Sequence, residues 1–145
     1  MSVGKGQPTK NTGIEMALRA ALRGVDLLGY RLHHRIELPP FRGRPQHTTP
    51  DVCFVGLKVA VYVDGCWFHG CLLHASRANA EWREKQARAR ARDKRHSRYL
   101  ETRGWRVFRT SGCEDPKAAA KAIKALIDVG SAPGTYCLPP KEESQ

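Results

Sequence analysis

The stretch that most constrains this chain is Val59-Ala-Val-Tyr-Val-Asp-Gly-Cys-Trp-Phe-His-Gly-Cys-Leu-Leu-His74, an apolar run that ends in ligand-type residues. Four to six consecutive apolar positions suit a strand covered on both faces, so the run predicts a buried central strand with its chemistry at the C-terminal end. Upstream, Asp51-Val-Cys-Phe-Val55 reads as a second strand. A hairpin through Gly56 then returns Val63 and Asp64 to the side of Asp51, giving an acidic cluster beside a separate Cys/His cluster.

At 145 residues the chain fits one domain with a real core. Its net charge of +11 points to a polyanionic partner, most often nucleic acid. The charge is concentrated: residues 83–109 hold 11 Lys/Arg against 3 Asp/Glu. No apolar run approaches the length of a bilayer span and the N-terminus has no signal-type core, so a cytoplasmic location without a membrane is expected. Five cysteines in that compartment read as thiols or metal ligands before disulfides.

Along the chain, residues 1–11 read as a flexible basic arm, 12–130 as a single domain and 131–145 as a flexible tail. Thr12-Gly-Ile-Glu15 matches a capping box, and Ile14, Leu18, Ala21, Leu22 and Val25 carry helical spacing to about Asp26 or Leu28, with Gly29 as the stop. Tyr30 to Leu38 reads as a strand or extended connection ended by Pro39-Pro40, and Phe41 to Pro50 as a loop. The segment from Ala80, capped by Asn79, predicts a long basic helix that stops at Gly104, with a thin seam of Ala87, Ala91 and Leu100. Trp105 to Arg109 alternates as a strand, and Asp115-Pro116 opens a last helix.

Cys66, Cys71 and His74 lie within nine residues, and Cys113 follows a strand that can return near them; thiolates and imidazole in a set of four match tetrahedral Zn²⁺. His69 is a competing ligand, and reduced buried cysteines without metal are the plainer alternative. Asp51, at the head of a strand, is placed to bind a hard cation such as Mg²⁺ through oxygen, although a Pro-Asp pair is also ordinary turn chemistry.

The order of Pro50-Asp51, an apolar hairpin, Gly65-Cys66-Trp67-Phe68-His69, a basic helix with Trp82, and Gly104-Trp105-Arg106-Val107 resembles the very-short-patch repair endonucleases, a branch of the PD-(D/E)XK restriction-endonuclease-like superfamily. The resemblance covers roughly Thr12 to Ile127 and implies an α/β fold, a restriction-endonuclease-like mixed sheet flanked by helices with a structural zinc. It implies Mg²⁺-dependent nicking of the thymine strand at T·G mismatches in double-stranded DNA. By position, Asp51 matches the metal carboxylate, Val63 the residue that offers its carbonyl to Mg²⁺, His69 the acid or base, and Glu15 the acid reaching toward the metal waters. Glu15 in a capping box is the competing role. Asp64 departs from the family pattern, which has a histidine there, and is left as either a second metal ligand or the group that orients His69. The zinc set departs in ligand order, with Cys71 and His74 exchanged in type.

Trp67, Phe68 and Trp82 match an aromatic wedge, with Arg83, Lys85, Arg88 and Arg92 as phosphate contacts. A monomer is expected, with recruitment of mismatch-repair proteins left open. Two other functions stay open on the sequence: a non-catalytic zinc-stabilised DNA-binding module, and a restriction-type endonuclease acting on paired duplex.

Overall fold

The computed structural model describes residues 13–64, 80–112 and 114–138, the side chain of Trp82 excepted. The arm at 1–11 and the residues Cys66, Trp67, Phe68, His69, Cys71, His74 and Cys113 lie outside the described residues. Helix α1 spans Gly13–Gly24, α2 Ala80–Thr102 and α3 Pro116–Val129. Strands β1 (Arg31–Leu32), β4 (Val52–Phe54), β5 (Val59–Asp64), β6 (Arg106–Ser111) and β7 (Gly134–Cys137) form one sheet in the order β1-β4-β5-β6-β7. The first three strands pair antiparallel and the last three parallel, so the sheet is mixed. Strands β2 (Ile36–Phe41) and β3 (Arg44–Thr48) make a separate antiparallel ribbon.

Alternation along the central strands divides the core between two faces. Val52, Phe54, Val59, Val61 and Phe108 pack with Leu18 and Leu22 of α1 and Ala119, Ile123 and Leu126 of α3. On the other face Cys53, Ala60 and Val107 meet Leu100 and Trp105 at the end of α2, with Ile36 and Leu38 of the ribbon. The sheet is thus covered on both sides, which is why its strands read as nearly continuous apolar runs. Among the described residues no helix is long and apolar enough to cross a membrane.

The expected cap residues Thr12 and Asn79 lie outside the described residues; of the other expected helix ends, two hold and one shifts. Gly104 takes a left-handed φ of 88°, Gly104 N–H donates to the Glu101 carbonyl and Trp105 N–H to the Leu100 carbonyl, a Schellman cap whose apolar contact is Trp105 on Leu100. Asp115 caps α3 by accepting from Lys117 N–H at 3.1 Å, and Pro116 follows in the first turn. In α1 the left-handed residue is Asp26 (φ 61°), not Gly29 alone, and Leu27 N–H bonds back to the Leu22 carbonyl at 2.9 Å. A short Asp side chain tolerates that conformation, so the helix ends at Gly24.

Three expectations are corrected. The stretch from Phe41 to Pro50 is not a loop: β2 runs through Pro39-Pro40 with a register shift between Leu38 and Phe41, then Arg42 (φ 51°) and Gly43 (φ 76°) turn the chain into β3. Two consecutive positive φ values are those of a type I′ hairpin turn, and prolines are tolerated because the ribbon is all edge. After Gly130 the chain does not remain unstructured, since residues 134–137 add β7 in parallel to β6 and Tyr136 packs against the core. The seam of α2 keeps Leu100 but not Ala87 and Ala91, which are exposed; among the described side chains Gln86, His96, Ser97 and Leu100 are buried.

Candidate active site

The loop between β1 and β2 and the entry to β4 bring two groups, His33 and Asp51, to Glu15 in the N-terminal half of α1. The ligand atoms of Glu15, His33 and Asp51 all lie within 4.8 Å of one another. Glu15 occupies the buried stripe of α1 with Leu18 and Leu22, at helical spacing, and is only 2% exposed. A carboxylate in that position must be partnered, and its Oε1 lies 3.1 Å from His33 Nε2. That imidazole nitrogen is buried and makes no aligned hydrogen bond among the described residues, so proximity to Glu15 does not satisfy it. His33 itself sits in left-handed backbone (φ 51°), with its N–H donating to the Asp51 carbonyl at 3.3 Å.

Asp51 is held from the other side. Val63 N–H donates to Asp51 Oδ2 at 2.8 Å, so the hairpin through Gly56 does return Val63 to the carboxylate. Burial pushes the Asp51 carboxyl above its ordinary range; the Val63 hydrogen bond and His33 oppose this, and Glu15 and Asp64 add to it. Two acids and an imidazole crowded in this way are favourable when a cation neutralises them. The two carboxylates are the oxygen donors a hard divalent ion takes, and the imidazole suits a bound water or a softer metal.

Asp64 acquires a partner the sequence did not suggest. Both its carboxylate oxygens lie 2.9 Å from Arg109 Nη1, and the two side chains are 12% and 13% exposed. Arg109 also lies over the Tyr62 ring, 4.5 Å from its centroid, and 4.0 Å from Asp93 of α2. Asp64 is thus bound into a lattice of side chains on the α2 face of the sheet. The neighbouring Tyr62 hydroxyl shares a 2.7 Å hydrogen bond with Thr48, and burial pushes its pKa up to about 12.

Of the sequence-predicted residues, Glu15 and Asp51 meet at His33, which the sequence reads as a strand residue, and Val63 holds Asp51 from the other side. One signal was present: an acid at position 15 in register with Leu18 and Leu22. Arg83, Lys85, Arg88 and Arg92 are all exposed on α2.

A mixed sheet covered by helices on both faces, with a half-buried acid-imidazole cluster against α1 and a basic helix α2 on the opposite face, is consistent with an endonuclease-like fold. The chain is 37% identical over 128 residues to the type II nicking enzyme V.XorIIP of Xanthomonas oryzae pv. oryzae (strain KACC10331 / KXO85), a match covering 83% of this chain and 85% of that protein. It is 35% identical over 112 residues to the type II nicking enzyme V.NaeI of Lentzea aerocolonigenes, covering 75% of this chain and 64% of that protein. No protein-family model matches the chain. The chain belongs to the family of these type II nicking enzymes.

Proposed function

We propose that the protein nicks the thymine-bearing strand of T·G mismatches in double-stranded DNA, by Mg²⁺-dependent hydrolysis of one phosphodiester, on a PD-(D/E)XK type of fold. The observation that carries this reading is the cluster of Glu15, His33 and Asp51, whose ligand atoms fall within 4.8 Å. Asp51 and Glu15 are the residues that would hold Mg²⁺, with the Val63 backbone beside them. The chemistry a divalent ion would supply there is Lewis-acid polarisation of the phosphate and activation of water. Asp51 is kept in place by the Val63 N–H, and His33 stands between the two carboxylates to orient water or take a proton. His69 is assigned the proton transfer to the leaving oxygen.

Zn²⁺ is assigned to Cys66, Cys71, His74 and Cys113. The support is topological: Asp64 and Ser111 are register partners in parallel strands, and Gly112 N–H donates to the Asp64 carbonyl at 3.2 Å. Cys66 and Cys113 each follow two residues beyond that pair in sequence. Trp67, Phe68 and Trp82 are assigned as a wedge that opens the stack where pairing is poor, which gives selectivity at a cost of a few kcal/mol per step.

The test is nicking of labelled duplexes that differ only in carrying T·G or T·A at one position, with Mg²⁺ or with EDTA. The expected result is a single break in the thymine strand, confined to the mismatched duplex and abolished by EDTA. Equal cutting of both duplexes would favour a restriction-type enzyme, and binding without cutting a DNA-binding module.

A further inference from the structure

The β2–β3 ribbon stands apart from the main sheet and leans on α2, and the space between them is a basic trough. A cavity of about 920 Å³ is lined by Phe41 and by five cations, Arg42, Lys85, Arg88, Arg92 and Arg95, with no carboxylate among its described lining residues. A second cavity of about 480 Å³ shares Gln46 and Arg92 with the first and continues past Thr48 and Tyr62 to Thr49; its one acidic lining residue among those described, Asp93, lies 3.6 Å from Arg92 and 4.0 Å from Arg109. The two together run from the ribbon's turn to Thr49, two residues before Asp51 in the chain.

The walls are fixed to each other. Arg95 of α2 stacks over the Phe41 ring at 3.6 Å from its centroid, and Arg42 lies 5.2 Å from the same ring. Stacking fixes a guanidinium while leaving its in-plane N–H groups to meet an anion. Deeper in, His96 Nε2 and Gln46 Oε1 are 3.3 Å apart, and Thr48 shares its hydrogen bond with Tyr62. Along α2 the residues Lys85, Arg88, Arg92 and Arg95 recur at helical spacing on one side. From the first to the last they span roughly 15 Å at 1.5 Å per residue. That length accommodates several successive phosphates of one strand, spaced ~3.4 Å along the duplex axis.

We propose that this trough carries the sugar-phosphate backbone of the cut strand to Asp51, gripped between α2 and the ribbon, with Arg42 reaching it from the ribbon wall. The proposal rests on the reading of the protein as a DNA nicking enzyme. It makes the ribbon part of the DNA clamp, a role that neither its Pro-rich sequence nor the basic helix by itself indicates.

The experiment is a salt titration of binding, in EDTA, of the full chain to a fluorescein-labelled duplex, with nicking kinetics in Mg²⁺ alongside. Three variants are compared with the parent: Lys85→Gln/Arg88→Gln/Arg92→Gln, which strips the trough; Arg90→Gln/Lys94→Gln/Arg98→Gln, which removes the same charge from the other side of α2; and Arg42→Asn, where Asn tolerates the left-handed backbone of that turn. The trough triple is expected to lower the slope of log affinity against log salt by about 2–3, and to weaken binding roughly tenfold or more near 100 mM salt. Arg42→Asn is expected to lower the slope by about 1, and the control triple by less than 1. In nicking, the trough variants should raise KM with kcat largely kept. Equal losses from the two triples, or an Arg42→Asn protein that binds as the parent does, would overturn the trough while leaving the nicking function standing. A parent that neither binds nor nicks any duplex would overturn both.

Discussion

Replacing Arg109 by Met in the cation-free protein removes the group that neutralises Asp64 and keeps most of the side-chain stem. Asp64 is 12% exposed and both its oxygens face the Arg109 Nη1 at 2.9 Å, so the carboxylate is left nearly buried without its cation. Breaking a buried pair from one side costs about 3–5 kcal/mol, and the residual solvent access places this case near the lower end, about 3 kcal/mol. For a chain of this size that corresponds to a melting temperature lower by roughly 6–12 °C. Asp64→Asn should cost less, because Arg109 retains the Tyr62 ring and Asp93. The double variant, Asp64→Asn with Arg109→Met, should recover about 1–3 kcal/mol relative to the sum of the single changes. Urea unfolding of all four proteins in EDTA measures this, with no divalent ion contributing. Strict additivity would refute the pairing. An Asp64→Asn protein that is stabilised in EDTA and needs more Mg²⁺ for nicking would make Asp64 a metal ligand instead.

Asp51→Asn should abolish nicking, yet raise the stability of the cation-free protein. The folded state raises the Asp51 pKa, so folding takes up a proton and the parent loses stability as pH climbs from the unfolded carboxyl value through the folded one. The gap between Asn variant and parent should therefore widen across the carboxylate range and stay constant above it, as read from urea midpoints against pH. His33→Asn, which suits the left-handed backbone there, should leave the melting temperature within a few degrees and cut nicking by roughly 10²–10⁴-fold, the range for losing a positioned acid or base; single-turnover rates with Mg²⁺ decide it. Protein purified without chelators should carry one Zn²⁺ per chain by elemental analysis, and Cys66→Ser should lower the melting temperature. Native protein should show Cys137 reacting readily with a thiol reagent while Cys53, pushed up to about 11 by burial, reacts only on unfolding.

The elements legible in the sequence are those whose signals are local. Asp115-Pro116 and Gly130 bracket α3, Gly104 stops α2, and the apolar runs at 52–54 and 59–64 are strands because both their faces are covered. Strand β3 was illegible because its order comes from across the chain: Arg-Pro-Gln-His-Thr has no apolar alternation, and it is tied down by Gln46 to His96 and by Thr48 to Tyr62. Strand β7 is an edge strand in which Thr135 and Cys137 remain exposed and Tyr136 is the side chain packed on the core, too thin a pattern to read. For the site, Asp51 and Val63 followed from hairpin arithmetic. His33 did not, since its place depends on a left-handed turn and on α1 packing across it, neither of which has a residue signature. Asp64 was recognised as unusual, but its partner lies 45 residues away on the adjacent parallel strand.

The chain leaves the main sheet after Leu32, builds the whole β2–β3 ribbon, and re-enters at Val52 beside the strand it left. The neck of that excursion is the bond from His33 N–H to the Asp51 carbonyl, so two cluster residues are also its hinge pins. Insertions or deletions at the Arg42-Gly43 tip therefore change the ribbon's reach without disturbing the distances at its base. A chain lengthened or shortened only at this tip should therefore remain folded, whereas changes at Ile36, Leu38, Gln46 or Thr48 reach into the core and α2.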